Sequence, residues 1–280
     1  MQIIDGKKIS RKILAQVKAR VDMLSLRPVF CDVMVGDDPA SLQYVQMKKR
    51  LAEKVGVRFH QAHFPSSITT DQLVKKINLL NNVQNMCGII VQLPLPSHLD
   101  KRAILDSIDP NLDVDCLGEI ASTKFYQGTS DRELNLGFPT ALACMFLLDS
   151  LQLDLSDKKI VVLGQGELVG RPVSALLRQR GFFPINITNK SVNKEEVIKS
   201  ADVIISGIGQ GQYITGDMIK AGAVVIDAGT SESNGGIVGD VDLESVKKVA
   251  SFISPVPGGV GPVTVAMLLH NVLQVAKHLR

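Results

Sequence analysis

Two hydropathy patterns alternate along the chain. Short runs of β-branched and other apolar residues have the look of buried strands, and the stretches between them repeat apolar positions every three or four residues, as amphipathic helices do. In the first half this predicts helix over 11–24, strand over 29–35, helix over 41–55, strand over 58–64, helix over 72–80 and strand over 88–92. Thr69 and Gln72 have the spacing of a capping box ahead of the third helix. A second series predicts helix over 140–148, strand over 159–163, helix over 171–180, strand over 184–187, helix over 194–201, and strands over 203–206 and 224–228. A last helix, over 262–278, carries Val265, Leu268, Leu269, Val272 and Val275 on one side.

Continuous Val/Ile runs fit strands covered on both faces, so the predicted class is α/β with parallel sheets. The two series imply two lobes. Residues 118–137, "GEIASTKFYQGTSDRELNLG", show no clear period and read as a loop-rich crossing between them. With the last helix returning to the first lobe, the expected domains are 1–137 plus 262–280, and 138–261.

Composition narrows the function classes. A chain of 280 residues suits two domains, and 45% apolar with 21% charged residues suits a folded core. The net charge of +3, a single basic block at 48–50, three Tyr and no Trp argue against nucleic acid as a partner. No apolar run approaches the roughly 20 residues that span a bilayer, and "MQIIDGKKIS" turns polar too soon for a signal peptide. No membrane partner and a cytoplasmic location are therefore expected. Cys31, Cys87, Cys116 and Cys144 are dispersed without a C-x-x-C pair, which favours reduced thiols. The five His are scattered too, so no metal site and no triad hydrolase are expected.

The stretch "VVLGQGELVGRPV", 161–173, places glycines 164, 166 and 170 between a predicted strand and helix. Gly164 allows a tight turn, and Gly166 or Gly170 allows backbone to approach a phosphate at the helix N-terminus. The spacing is G-x-G-x-x-x-G rather than G-x-G-x-x-G, and a plain strand-to-helix turn stays open beside dinucleotide binding. The next predicted strand ends "ITNKS" without the acid that would bind an adenosine ribose. Lys190 there suits a 2′-phosphate, or is simply a solvated side chain.

Four stretches, "VGDDPASLQYVQMKK" (35–49), "GIIVQLPLP" (88–96), "DVDC" (113–116) and "SPVPGGVGPVTVAMLL" (254–269), occur in an informative order and spacing. With "IIDGKKIS" and "GIVGDVD" (236–242), they resemble the bifunctional methylenetetrahydrofolate dehydrogenase/methenyltetrahydrofolate cyclohydrolase family over nearly the whole chain. The resemblance implies a catalytic lobe and a Rossmann-like NAD(P)-binding lobe, in a homodimer acting on tetrahydrofolate derivatives. It implies oxidation of 5,10-methylenetetrahydrofolate to the methenyl form, then hydrolysis to 10-formyltetrahydrofolate. It implies Lys48 as the catalytic lysine, Gln92 orienting it, Tyr44 lining the folate site and Asp115 bonding the pterin, with Leu93, Pro94 and Pro262 also at the substrate. It implies nucleotide contacts from Gly164, Gln165, Gly166, Val169, Gly170, Asn189, Lys190 and Ser191, with NADP as cofactor and NAD as the other possibility.

Physical chemistry accommodates these roles. Tyr44 and Lys48 are four apart on a predicted helix and share a face. To activate water or shuttle a proton, the Lys48 amine must be neutral for part of the cycle, which desolvation or neighbouring charge can arrange. Gln92 can orient the amine without favouring the ammonium as a carboxylate would. Taken singly, a lysine in "KKR" is a solvated face, Asp113 and Asp115 are loop caps, and "PVPGGVGP" is a turn. Their joint occurrence selects the catalytic reading.

The departures from the family pattern concentrate on the nucleotide side. The family's loop reads G-R-S-x-x-V-G-x-P, and here Gln165 and Gly166 stand where Arg and Ser would. Its following H-S-x-T becomes Thr188, Asn189, Lys190 and Ser191, and P-C-T-P-x-G becomes residues 138–143 with only Thr140 kept. Losing an arginine fork removes a charge-assisted contact of about 1.5–3 kcal/mol, so weaker NADP binding or a shift towards NAD is expected. A cyclohydrolase-only enzyme, or a non-catalytic folate-binding paralogue, is the alternative that these losses raise.

Overall fold

In chain order, the computed structural model has β1 (Gln2–Ile3), α1 (Gly6–Val21), β2 (Val29–Val35), α2 (Pro39–Lys54), β3 (Arg58–Phe64), α3 (Thr70–Leu80), β4 (Met86–Val91), α4 (Lys101–Asp106), α5 (Glu119–Gln127) and α6 (Pro139–Asp149). It continues with β5 (Ile160–Leu163), α7 (Gly170–Gln179), β6 (Ile185–Ile187), α8 (Lys194–Lys199), β7 (Val203–Ser206), β8 (Val224–Asp227), β9 (Ser231–Ser233), β10 (Gly236–Val238), α9 (Leu243–Val246), β11 (Phe252–Ile253) and α10 (Val260–His278). The structure describes residues 1–128, 134, 136–233 and 236–279.

The chain divides into two units. One comprises Met1–Arg11 with Thr140–Met267, the other Lys12–Pro139 with Leu268–Arg280. This differs from the division expected at 1–137 plus 262–280. The first residues join the second lobe because β1 pairs in parallel with β11, Gln2 beside Phe252 and Ile3 beside Ile253. A two-residue strand has too short a pattern to stand out in sequence. The last helix changes unit at Leu268 instead of beginning in the first lobe at 262.

In the unit containing Lys12–Pro139, β3, β2 and β4 form a parallel sheet in the order β3-β2-β4. All seven residues of the central strand β2 are buried, whereas β3 at the edge exposes Arg58, His60 and His63. Segment 112–114 runs beside β4, tied by the Ile89 amide donating to the Leu112 carbonyl at 2.8 Å. Asp38 accepts from the Ser41 amide at 2.8 Å and Pro39 occupies the first turn, which starts α2 sharply after β2. The expected capping box of Thr69 and Gln72 is present at α3. The aperiodic segment read as a loop contains α5, capped at Gly128 in the left-handed conformation, φ +66°. Its helical period is weak because only Ala121 and Phe125 are buried. Residues 129–133 and 135 of that segment lie outside the described residues.

The other unit carries a six-stranded parallel sheet in the order β1-β11-β8-β7-β5-β6, the doubly wound arrangement of Rossmann-like folds. Val161, Leu163, Ile204, Val225 and Ile253 build its core with Ile187, Ile198 and Val246. Four-residue β5, β7 and β8 are wholly buried, which is why they read as unbroken apolar runs. All four cysteines are free and buried. Among the described residues, no helix is long and apolar enough to cross a membrane.

Asn271 on α10 ties the Lys12–Pro139 unit together. Its buried Nδ2 donates to the carbonyls of Val114 at 2.9 Å and Gly137 at 2.7 Å. Asn271→Ala orphans both carbonyls and is expected to cost about 2–4 kcal/mol, read as a lowered urea midpoint at unchanged slope.

Candidate active site

Three neighbouring elements of the Lys12–Pro139 unit bring their polar side chains together. Lys48, on the inward face of α2, is 1% exposed, an unusual state for a lysine. Its Nζ donates to Gln92 Oε1 at 2.8 Å and lies 4.9 Å from the centre of the Tyr44 ring. Gln92 directly follows β4, its amide donating to the Val33 carbonyl at 2.8 Å and its Nε2 to the Leu93 carbonyl at 2.7 Å. The side-chain amide is thus held at both ends, with its oxygen facing Lys48. Sequence reasoning placed Tyr44, Lys48 and Gln92 together, and the structure does so.

It also adds a residue that sequence reasoning missed. Asp32, in the middle of β2 and fully buried, lies with Oδ2 2.6 Å from Lys48 Nζ. Apart from this ion pair, neither of its carboxylate oxygens has a hydrogen-bond partner. A carboxylate therefore holds Lys48 beside the neutral amide of Gln92. The available signal was a single acid inside the apolar run "VFCDVMV", since buried charges are paired or they do not persist.

Asp115 is half-buried and close enough to Lys48 and Asp32 to feel both charges. Burial pushes its carboxyl up to about 7; Lys48 pulls it back, while Asp113 and Asp32 push it further. Burial raises the Tyr44 phenol, and Asp115 and Asp32 add to that. Burial also raises Asp32, with Lys48 opposing. The two acids of the D-x-D pair have separate tasks. Asp113 is buried and accepts from the Gly118 amide at 2.7 Å, closing the turn that presents Asp115. Leu93 is half-buried and Pro94 exposed beside Gln92, whereas Pro262 belongs to the other unit.

That other unit has a cavity of about 530 Å³ beyond the carboxyl ends of β5, β6 and β7. Gly164, Gln165, Gly166, Asn189 and Lys190 line it; Val169, Gly170 and Ser191 do not. Gly164 sits at φ +84°, and a Cβ on Gly170 would fall 1.9 Å from the Gly164 carbonyl oxygen. Gly166 has open space around it. The loop is thus closed upon itself at 164 and 170 and clear at 166, where a phosphate can approach backbone. Gln165 turns inward, its Nε2 donating to its neighbour's carbonyl, Gly164 O, at 2.8 Å. Ser191 Oγ accepts from the Thr188 amide at 3.0 Å and is committed to its turn. The cations on the cavity are Arg171, Lys190 and Lys194, the last with Nζ 5.8 Å from the Tyr213 ring centre. Lys194 and Tyr213 were not singled out in the sequence because they are remote from the glycine loop, and Arg171, which directly follows Gly170, reads there only as part of the first turn of the next helix.

Buried Asp240 shapes the opposite wall, accepting from the amides of Ile208 at 2.8 Å and Gln210 at 3.0 Å. Asp227 supports it in turn by accepting from the Asp240 amide at 3.1 Å. This gives "GDVD" a structural reason that its sequence did not disclose.

Comparison with known proteins agrees with this pair of sites. Residues 4–115 match the model of the tetrahydrofolate dehydrogenase/cyclohydrolase catalytic domain, and residues 139–280 that of the family's NAD(P)-binding domain. The chain belongs to the tetrahydrofolate dehydrogenase/cyclohydrolase family. It is similar to the bifunctional protein FolD of Nitratiruptor, with 42% identity over 99% of this chain and 98% of the relative. The crystal structure of the bifunctional FolD enzyme of Campylobacter jejuni superposes with a TM-score of 0.95 at 37% identity, over 100% of both chains. That of Trypanosoma brucei FolD, complexed with NADP and an inhibitor, gives 0.93 at 32% identity, over 99% of this chain and 98% of the other. As a family member the chain is a bifunctional dehydrogenase and cyclohydrolase, and nothing in these similarities favours a cyclohydrolase-only or non-catalytic paralogue.

Two outcomes follow from the charge cluster. Lys48→Met strands a buried carboxylate and is expected to cost about 3–5 kcal/mol in urea denaturation, with Lys48→Met/Asp32→Val recovering much of it. Asp115 ionises from 3.8 when unfolded but from about 7 when folded, so the stability it contributes is full below pH 3.8 and lost as pH rises through 7. Asp115→Asn should flatten that part of a melting-temperature profile against pH.

Proposed function

We propose that the Tyr44, Lys48, Gln92 and Asp115 cluster carries both steps on the folate one-carbon unit, with NADP as the nucleotide. The observation that carries the reading is a buried lysine amine held at 2.8 Å by Gln92 beside a tyrosine ring. Asp115, with its carboxyl near 7, can accept from the pterin amino and ring N–H groups as carboxylate. Tyr44 supplies an apolar wall against which the folate rings pack. Leu93 and Pro94 add substrate contacts in this reading, and Pro262, in the other unit, is named for the substrate by the family resemblance alone.

A nucleotide held by the glycine loop and the cations of the cavity would supply the hydride acceptor for the methylene carbon. The lone pair of the folate nitrogen stabilises the resulting cation, so the chain's task in that step is to hold and align the reactants. In the hydrolytic step a water attacks the methenyl carbon; Lys48 Nζ, neutral when Asp32 holds the proton of their pair, takes one proton from it and returns that proton to the folate nitrogen whose bond to the carbon breaks, while the second proton leaves to solvent as the formyl C=O forms. The product is the formyl compound. Gln92 keeps Nζ aimed during the exchange.

For the nucleotide, Gly164, Gly166 and Gly170 fit a pyrophosphate, and the cations facing the cavity, Lys190 with Arg171 and Lys194, suit a 2′-phosphate in place of the missing loop arginine. Val169, Asn189 and Ser191 shape the turn around it, and Gln165, a neutral amide bound to its own loop, leaves NADP held less tightly than an arginine fork would. A homodimer in the cytoplasm is part of the same reading, on the strength of the family resemblance, and analytical ultracentrifugation tests the dimer.

Absorbance of the methenyl compound tests the chemistry in two assays, its loss without nucleotide and its formation from the methylene compound with NADP or NAD. Lys48→Ala is expected to reduce cyclohydrolysis by about 10²–10⁴-fold. Lys190→Ala is expected to raise KM for NADP about tenfold and leave that for NAD unchanged. An equal change with both nucleotides would remove Lys190 from the 2′-phosphate.

A further inference from the structure

The active cluster contains one ionisable group to which the proposed chemistry gives only a shared proton. Asp32 is fully buried at the centre of the three-stranded sheet, between Gln61 on β3 and Ile90 on β4. Nothing in packing calls for a carboxylate there. Its neighbours along β2 are Cys31 and Val33, both buried, and an aliphatic side chain would satisfy the same position. The ion pair with Lys48 repays burial poorly as a stabilising device, because two desolvated charges seldom recover more than well-packed apolar groups supply. A function for the pair therefore has to come from what it does to Lys48.

Geometry specifies that function. Lys48 Nζ is gripped from two sides, by Asp32 Oδ2 at 2.6 Å and Gln92 Oε1 at 2.8 Å. A lysine has a flexible four-carbon stem and no fixed fork, so one neutral acceptor leaves the amine several rotamers. Two acceptors from adjacent strands leave one. We propose that Asp32 is a positioning residue for the reaction, its buried carboxylate pinning Lys48 Nζ against Gln92 and beside Tyr44, so that the amine meets the one-carbon unit in a single orientation. The proposal rests on the reading of Lys48 as the catalytic amine.

The groups around this amine are Asp32 from β2, Gln92 after β4 and Tyr44 from its own helix, with Asp115 near enough to interact with its charge and Asp113 with that of Asp115. Cys31, next to Asp32, is raised to about 12 by burial and by Asp32 and stays a thiol. Asp32 is one of the charges pushing Asp115 upward and Lys48 the one pulling it down. Neutralising Asp32 therefore moves Asp115 to lower pH from both sides: a repelling charge is gone, and the ammonium is no longer matched by a nearer carboxylate.

The test compares Asp32→Asn, close in shape but uncharged, with wild type and Lys48→Ala, all checked for folding by circular dichroism. For Asp32→Asn, cyclohydrolase kcat should fall at least tenfold with KM for the methenyl substrate within threefold. The limb of kcat/KM against pH that belongs to Asp115 should move to lower pH, which a merely structural role would not produce. Wild-type kcat and an unmoved limb, with Lys48→Ala inactive, would overturn the role of Asp32 and leave the proposed function standing. Full activity in Lys48→Ala would overturn both. A second measurement serves if Asp32→Asn does not fold: the ¹³C titration of the Asp32 carboxyl should move to higher pH in Lys48→Ala than in wild type, and an unmoved titration would overturn the proposal.

Discussion

Burying a lysine amine beside a carboxylate is the constraint around which the Lys12–Pro139 unit is organised. An isolated charge in the interior costs far more than a small domain's net stability, so Lys48 is tolerable there only with partners in reach from the moment the core closes. Those partners come from separate strands. Asp32 lies in the fully buried β2, and Gln92 immediately after β4, whose alignment with β2 is set by ladder bonds along both strands. A slip of one residue in that register would turn Asp32 to the other face of the sheet. Sheet register and amine placement are thus one problem, and the site is as rigid as the sheet that carries it.

The nucleotide unit solves a different problem with backbone. Its cavity is bounded by a glycine loop in which residues 164 and 170 meet too closely for any side chain at 170, and by a second loop held by Asp240. Carboxylates there organise amides, in a chain from Asp227 to Asp240 to residues 208 and 210. Side-chain charge is left to Arg171, Lys190 and Lys194 at the rim. Such an arrangement tolerates exchange of rim residues, which explains how the loop can carry Gln165 and Gly166 while the fold stays that of its relatives.

Much of this was legible in the sequence, and the omissions have physical causes. Strands β2, β4, β5, β7 and β8 announced themselves because burial on both faces demands unbroken apolar runs. Strands β1 and β11, at two residues each, are too short for any period, and α5 buries only two side chains, so its helical spacing is faint. Tyr44, Lys48 and Gln92 were found by spacing and resemblance. Asp32 was passed over because its strand was read for hydrophobicity, although one acid in seven buried residues was itself the clue.

The sequence by itself determined the α/β class, the parallel sheets, the glycine loop and the family, because these depend on local period and on motifs preserved in order. Only the tertiary structure decided which charges meet. Lys48 and Gln92 are separated by 44 positions along the chain and yet joined at 2.8 Å, and Asp32 reaches the same amine from a third segment. No local pattern encodes such a meeting, since it depends on strand register and on the face that α2 turns inward, both of which are settled when the sheet and helix pack.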